Sequence, residues 1–273
     1  GYTPVEIAEM IKLPESLDKQ FYNRGYYGTV SHNVKAQYQL YYGWFDGNPA
    51  NLNPLPPSEQ GKKYVEAMGG TKRVLEVARA SYDAGEYRWV ATLLNNLVFA
   101  QPDNGEAREL LAKTYDQLGY QAESGPWRNF YLTGALELHQ GANKVVYPLN
   151  VSAQVLDMTG LEELLDLLAV QIDGEKAAGK EMAINLNFKD RGENASLILK
   201  NGPLTNRIGY QIPDATANIA IDKIDFIKVM LGETSLEVLV RENKAEIEGM
   251  VTILSDLKSV TSPADKYFNI VEP

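Results

Sequence analysis

Apolar residues recur at spacings of three and four through residues 64–139. Val74, Leu75, Ala78 and Tyr82 mark one helix, opened by Thr71. Tyr87, Val90, Ala91, Leu94, Leu97 and Val98 mark a second, after Gly85. Ala107, Leu110, Leu111, Tyr115 and Leu118 mark a third, opened by Asn104 and closed by Gly119. Trp127, Phe130, Tyr131 and Leu138 turn inward on a fourth, started by Ser124 and Pro126. This recurrence places one apolar stripe on each helix, and Ser, Thr or Asn before a run and Gly after it are helix start and stop signals.

Residues 1–62 are irregular and aromatic. Thr3, Pro4 and Glu6 predict a capping box ahead of a short helix over 4–12, and a second short helix falls over 16–22. A longer helix starts at Ser31 as N-cap, carries Val34, Tyr38, Tyr41 and Tyr42 on one face, and stops at "DGNPANLNPLPP". A faint repeat links the next helices: Tyr82 and Tyr115 are 33 apart, and Gly85 and Gly119 are 34 apart. The pattern resembles a tetratricopeptide helix pair. Two such pairs are too few for a free-standing solenoid, so flanking helices or another subunit must supply the missing packing surface.

Residues 141–152 have no helical period and read as a linker. Thr159 and Glu162 then predict a capping box before Leu161, Leu164, Leu165, Leu168 and Ile172. A period of two takes over in "MAINLNF", with Met182, Ile184, Leu186 and Phe188 on one face, and in "ASLILK". Asn201-Gly202 predicts a hairpin, followed by strands over 204–211 and 216–221. Asp222 caps one helix, Thr234 with Glu237 another, and a strand over 244–248 precedes a terminal helix with Val251, Leu254 and Leu257. Grouped strands flanked by helices predict an α+β domain over 153–273, after an all-helical region over 64–139.

The 273 residues carry a formal charge of −10, with 44% hydrophobic and 23% charged residues. No Lys/Arg run supports nucleic acid as a partner. The absence of cysteine excludes disulfides, thiolate nucleophiles and Cys-ligated zinc. No apolar run reaches the roughly 20 residues of a membrane span. The first residue is Gly1 rather than Met, and a helix signal begins at once; the sequence reads as a piece of a longer protein or a mature product.

The two histidines, His32 and His139, stand 107 positions apart, too few and too scattered for a metal site. His32, placed at N1 of its helix, sits beside free amides and the positive end of the helix dipole; it could hold a sulfate, phosphate or carboxylate, or merely cap or pack. His139 reads as a last-turn histidine satisfying helix carbonyls. Tyr38, Tyr41, Tyr42, Trp44 and Phe45 could line an apolar channel, though such stripes more often form a core or subunit interface. Glu162/Glu163 and Glu246/Glu248 read as solvated faces rather than an acid–base pair. Whether the α+β domain encloses a lipid cavity or a filled core stays open.

Five blocks carry a family resemblance: "YYGTVSHNVKAQYQLYYGWFDGNPANLNPLPP", "GEYRWVATLLNNLVFAQPDN", "LGYQAESGPWRNFYLTGALEL", "LLAVQIDGEKAAGKEMAINLNF" and the ending "YFNIVEP". They resemble the zinc alkyl sulfatases of the metallo-β-lactamase superfamily, which hydrolyse long-chain sulfate esters such as dodecyl sulfate. The resemblance implies that residues 1–140 are the end of the catalytic region plus a helical dimerisation domain. It implies that residues 153–273 form a domain similar to sterol carrier protein 2. The family's His-x-His-x-Asp-His zinc motif lies upstream of the matched part and is absent here. The resemblance therefore implies a C-terminal portion that binds no zinc itself and is inactive alone. Its implied partners are the zinc-binding N-terminal domain, a second copy in a homodimer, and an alkyl sulfate or other amphiphile. Export is common in the family, which implies a periplasmic or secreted location. His32 matches a histidine that contacts the sulfate, Tyr41 a nearby tyrosine, and Asn33 the residue beside them. Tyr stands at 42 where the family pattern is aliphatic, so either Tyr41 or Tyr42 could face the pocket. A stand-alone dimeric lipid or detergent carrier is the alternative reading.

Overall fold

The computed structural model describes residues 1–142, 152–262, 265 and 267–273. The chain divides into two compact units, Gly1–Tyr147 with Tyr267–Pro273, and Pro148–Lys266. The linker over 141–152 lies outside the described residues apart from Gly141, Ala142 and Ser152.

The first unit is helical. Helix α1 (Pro4–Met10) starts with the predicted capping box, in which Thr3 and Glu6 bond reciprocally. Helix α2 (Glu15–Asp18) is a single turn, and α3 is Val30–Tyr42. A stack follows of α4 (Pro57–Ala67), α5 (Thr71–Asp83), α6 (Tyr87–Ala100), α7 (Gly105–Gln121) and α8 (Gly125–Gln140). The predicted stripes meet in its core, where Val74, Ala78, Val90, Leu94, Leu97 and Leu111 are fully buried. Asn104 and Ser124 are N-caps as the sequence indicates, accepting the amides of Ala107 and Trp127.

Other details differ. Gly70 rather than Thr71 caps α5, because its φ of 90° suits glycine and leaves Thr71 as the first helical residue. Gly119 does not close α7, which runs on to Gln121. A Cβ at 119 would stand 2.8 Å from Leu132 Cδ2 of α8, so the missing side chain lets two helices approach. Phe130 is 75% exposed rather than inward, because the α8 face that meets α7 carries Gly134, Ala135 and Leu138.

The last seven residues return to this unit, although the sequence placed them in the second domain. Buried Glu137 accepts the amides of Ile270 (2.8 Å) and Val271 (2.9 Å) through Oε1. Arg108 pairs with buried Glu272 and donates to the Leu138 carbonyl at 2.9 Å.

In the second unit, β1 (Met182–Phe188), β2 (Glu193–Leu199), β3 (Leu204–Ile208), β4 (Ala217–Ile221) and β5 (Ala245–Gly249) form one sheet in the order β3-β2-β1-β4-β5. Only β1 and β4 run parallel. Asn201 and Gly202 both have positive φ (58° and 105°) in the turn joining β2 to β3. Helices α9 (Ala153–Asp157), α10 (Leu161–Ala169), α11 (Gly174–Ala177), α12 (Lys223–Leu231), α13 (Leu236–Arg241) and α14 (Ile253–Ser259) complete the unit. Ile184, Leu186 and Phe188 pack among Leu165, Phe226 and Leu257. The opposite face of β1 is closed by a polar lock: Asn185 accepts the Ile212 amide (2.8 Å) and donates to the side-chain Oδ1 of Asn218 (2.7 Å). Strand β3 ends at Ile208, short of 211, and Gly209 after it takes a φ of 74°. Gly160 caps α10 in place of Thr159, and Ser235 caps α13 in place of Thr234. Asp222 holds the N-cap position of α12 without a side-chain bond; Asp190 accepts the Lys223 amide instead.

A Cβ at Gly61 would lie 2.4 Å from the Asn96 carbonyl oxygen of α6, a backbone atom that cannot swing aside. Gly61→Ala gains about 1 kcal/mol of helix propensity but incurs roughly 1–3 kcal/mol of overpacking. The urea midpoint should therefore fall; an unchanged or higher midpoint would remove Gly61 as the close-contact point of α4 and α6. Burial, then the charges of Tyr131 and Glu137, push the Tyr115 phenol up to about 12. A raised phenol favours the folded state while neutral, so its contribution is complete below the ordinary value near 10 and is lost as pH climbs from about 10 to 12. The loss is on the order of 2–3 kcal/mol. Tyr115→Phe should unfold less steeply over that window in urea titrations at stepped pH, and parallel curves would refute the assignment.

Candidate functional site

Helix α3 starts one residue before the predicted N-cap. Thr29 takes the capping role: its backbone is extended and its Oγ1 accepts the His32 amide at 2.9 Å. Thr29 and Ser31 are both good cappers, and the chain uses the earlier one. His32 is therefore the third helical residue rather than the first. Its amide is already taken, so the imidazole is the group that can meet a ligand. The helix ends on Gly43, whose φ is 77°, before the predicted Asp-Gly-Asn-Pro stop.

The imidazole faces α8. His32 Nδ1 accepts the Trp127 indole N–H at 3.0 Å, with the rings edge to face. Lys35, one turn along α3, sets its ammonium 5.5 Å from the centre of the Trp127 ring. Three contacts fix the loop before α3 to the start of α8. Gly125 N–H donates to the Tyr26 carbonyl (2.7 Å), and the buried Ser124 hydroxyl to the Tyr27 carbonyl (2.6 Å). Arg24 pairs with Glu123 at 2.5 Å.

The sequence-predicted residues do not converge within this chain. Nine residues separate His32 from Tyr41, which is about two and a half turns; the two point to opposite sides of α3, roughly 13 Å apart along its axis. Asn33, Tyr41 and Tyr42 instead share an open apolar groove between α1 and α3, of about 500 Å³, with Ile7, Ile11 and Val34. Asn33 also borders a more polar cleft with Thr29, Ser31, Arg24 and Trp127. Helix α3 buries none of its residues, and Leu40, Tyr41, Tyr42 and Trp44 are 72–77% exposed. The aromatic stripe is thus not a core of this unit. Trp127 and Lys35 carry no local signal that links them to His32; only the fold assembles the three.

The second unit contains an apolar pocket of about 290 Å³. Leu156, Leu164, Leu168, Phe226, Ile227 and Met230 line it, with Gln171 and Thr261 as polar members. His139 lies 3.4 Å from Glu109 of α7, so its contact is a carboxylate rather than the α8 carbonyls. Glu162, Glu163, Glu246 and Glu248 are all exposed, as solvated faces should be. Among the described residues no three His, Cys, Asp or Glu side chains cluster to hold a metal ion. The donor set here does not fit a zinc centre. No described helix is long and apolar enough to cross a membrane.

Comparison with known proteins places these features in a family. The family model for alkyl sulfatase dimerisation matches residues 3–141, and the model for the alkyl sulfatase C-terminal region matches residues 150–273. A linear primary-alkylsulfatase of Pseudomonas sp. is 44% identical over the whole chain, which covers 40% of that relative. An (R)-specific secondary-alkylsulfatase of Pseudomonas sp. is 41% identical, again over the whole chain and 41% of the relative. The solved structure of a stereoselective inverting sec-alkylsulfatase from Pseudomonas sp. superposes with a TM-score of 0.91 at 40% identity, over all of this chain and 43% of that one. The chain spans about 40% of the length of the curated relatives it matches. With both family regions matched in order along nearly its full length, the chain belongs to the alkyl sulfatase family, as its C-terminal portion.

Proposed function

We propose that this chain is part of an enzyme that hydrolyses long-chain alkyl sulfate esters, of the dodecyl sulfate type, to alcohol and sulfate. The observation that carries the reading is α3: an aromatic helix with no fully buried residue and with Leu40, Tyr41 and Tyr42 exposed, and a hydrogen-bonded histidine near its start, in a chain that matches alkylsulfatases from end to end. On this reading the hydrolytic step belongs to a zinc-binding N-terminal domain of the metallo-β-lactamase type. When bound there, zinc would supply an activated water. This chain contributes binding. His32 meets the sulfate, Asn33 and Tyr41 border the path of the ester, and the exposed aromatics of α3 receive the alkyl chain. The helices α4–α8 form a homodimer scaffold. The second unit gathers amphiphile on its apolar pocket, which is near the low end of ligand-site volumes and suits a single chain. That pocket also supports the alternative of a stand-alone lipid or detergent carrier.

With zinc added, the chain alone should not hydrolyse dodecyl sulfate, whereas the chain joined to its upstream domain should. In the joined protein, His32→Ala should raise KM roughly tenfold or more, the cost of a hydrogen bond to a charged group. An unchanged KM would sink the sulfate role of His32. Tight dodecyl sulfate binding by the chain alone, with no turnover in the joined protein, would favour the carrier.

A further inference from the structure

We infer that Trp127 is a positioning residue for His32. Its indole N–H fixes the imidazole as the Nε2–H tautomer and aims that N–H away from α8, toward the anion. The inference rests on the proposed sulfate role of His32.

The indole nitrogen can only donate, so the partner nitrogen must be an unprotonated acceptor. That partner is His32 Nδ1, at 3.0 Å. The neutral ring therefore carries its proton on Nε2, across the ring from Trp127. A sulfate ester offers only acceptor oxygens on its exposed end, so the histidine it meets must present a donor. Without the indole bond, either tautomer is open to the ring and the ring can turn about its last torsion. A donor would then face the anion only part of the time.

Trp127 is itself held in place. The Ser124 hydroxyl accepts its backbone amide, and Lys35 covers its ring face. The docking of α8 against the loop before α3 does not use the indole nitrogen; Ser124, Gly125 and the Arg24–Glu123 pair make those contacts. The indole–imidazole bond is exposed, and exposed hydrogen bonds add little to folding. Its consequence is orientation. Lys35, one turn further along α3, sets its positive charge over the Trp127 ring.

The test is Trp127→Phe, which keeps an aromatic ring and removes the N–H. In this chain, nitrogen-15 NMR of the His32 ring should show Nε2 protonated and Nδ1 as acceptor in the wild type. The variant should show a mixture of tautomers at an unchanged thermal midpoint. In the protein joined to its upstream domain, KM for dodecyl sulfate should rise about three- to tenfold with kcat within about twofold, the pattern of lost ground-state binding. Unchanged tautomer and unchanged KM in Trp127→Phe, with KM raised in His32→Ala, would overturn the positioning role and leave the sulfate reading standing. A shifted tautomer with KM unchanged in both variants would overturn the sulfate reading, and the functional inference with it.

Discussion

Helix α3 carries the candidate site without burying a side chain; it lies against α1, and the loop before it is hydrogen-bonded to the first turn of α8. One of these bonds comes from the Gly125 amide at the α8 N-terminus, where backbone N–H groups would otherwise lack partners. Ser124 acts twice: its hydroxyl accepts the Trp127 amide as a cap and donates to the Tyr27 carbonyl. Because Ser124 is 1% exposed, losing its partner would leave a buried hydroxyl unpaired. A polar junction of this kind fixes α3 while leaving its aromatic side chains uncommitted. Packing α3 into the core would have fixed it equally well and consumed the surface that a ligand or partner needs.

The chain terminus uses the same device in a more buried setting. Glu137 on α8 takes two tail amides, and Arg108 on α7 takes the Glu272 carboxylate. Removing Arg108 would leave the buried Glu272 carboxylate uncompensated, which costs far more than the pair itself contributes. The tail and the helical unit therefore specify one another. The chain enters the second unit from the first and comes back to it, so the second unit is tethered at both ends.

Periodicity made the elements legible and left their meetings illegible. The helices over 57–140 follow from the 3.6-residue stripe and from Asn104 and Ser124, whose caps are local. The strands follow from period-two runs, and the Asn201-Gly202 turn from its need for positive φ. Glycine was ambiguous, because the same residue serves as a stop signal and as a close-contact residue; Gly119 proved to be the second. Thr29 and Ser31 compete as cappers two positions apart, and sequence alone gives no reason to prefer one. The parallel pairing of β1 with β4, the return of the tail and the Trp127–His32 bond across 95 positions are contacts between distant segments. Local patterns carry no trace of them. The candidate site was least legible: a helix start pointed to His32, but nothing local pointed to Trp127 as its hydrogen-bond partner.

Net charge constrains how an alkyl sulfate could reach such a site. The chain carries −10, so its long-range field repels an anion. At physiological salt that repulsion fades within about 8 Å, and on the proposed reading a donor such as His32 would act inside that distance. Apolar burial outweighs it. At about 0.8 kcal/mol per methylene, seating half of a dodecyl chain is worth roughly 5 kcal/mol, well above a screened repulsion. Recruitment by the α1–α3 groove and the second unit's pocket would therefore weaken steeply with each carbon removed and respond little to salt. The sulfate contacts would then set where the ester stops rather than how tightly it is caught.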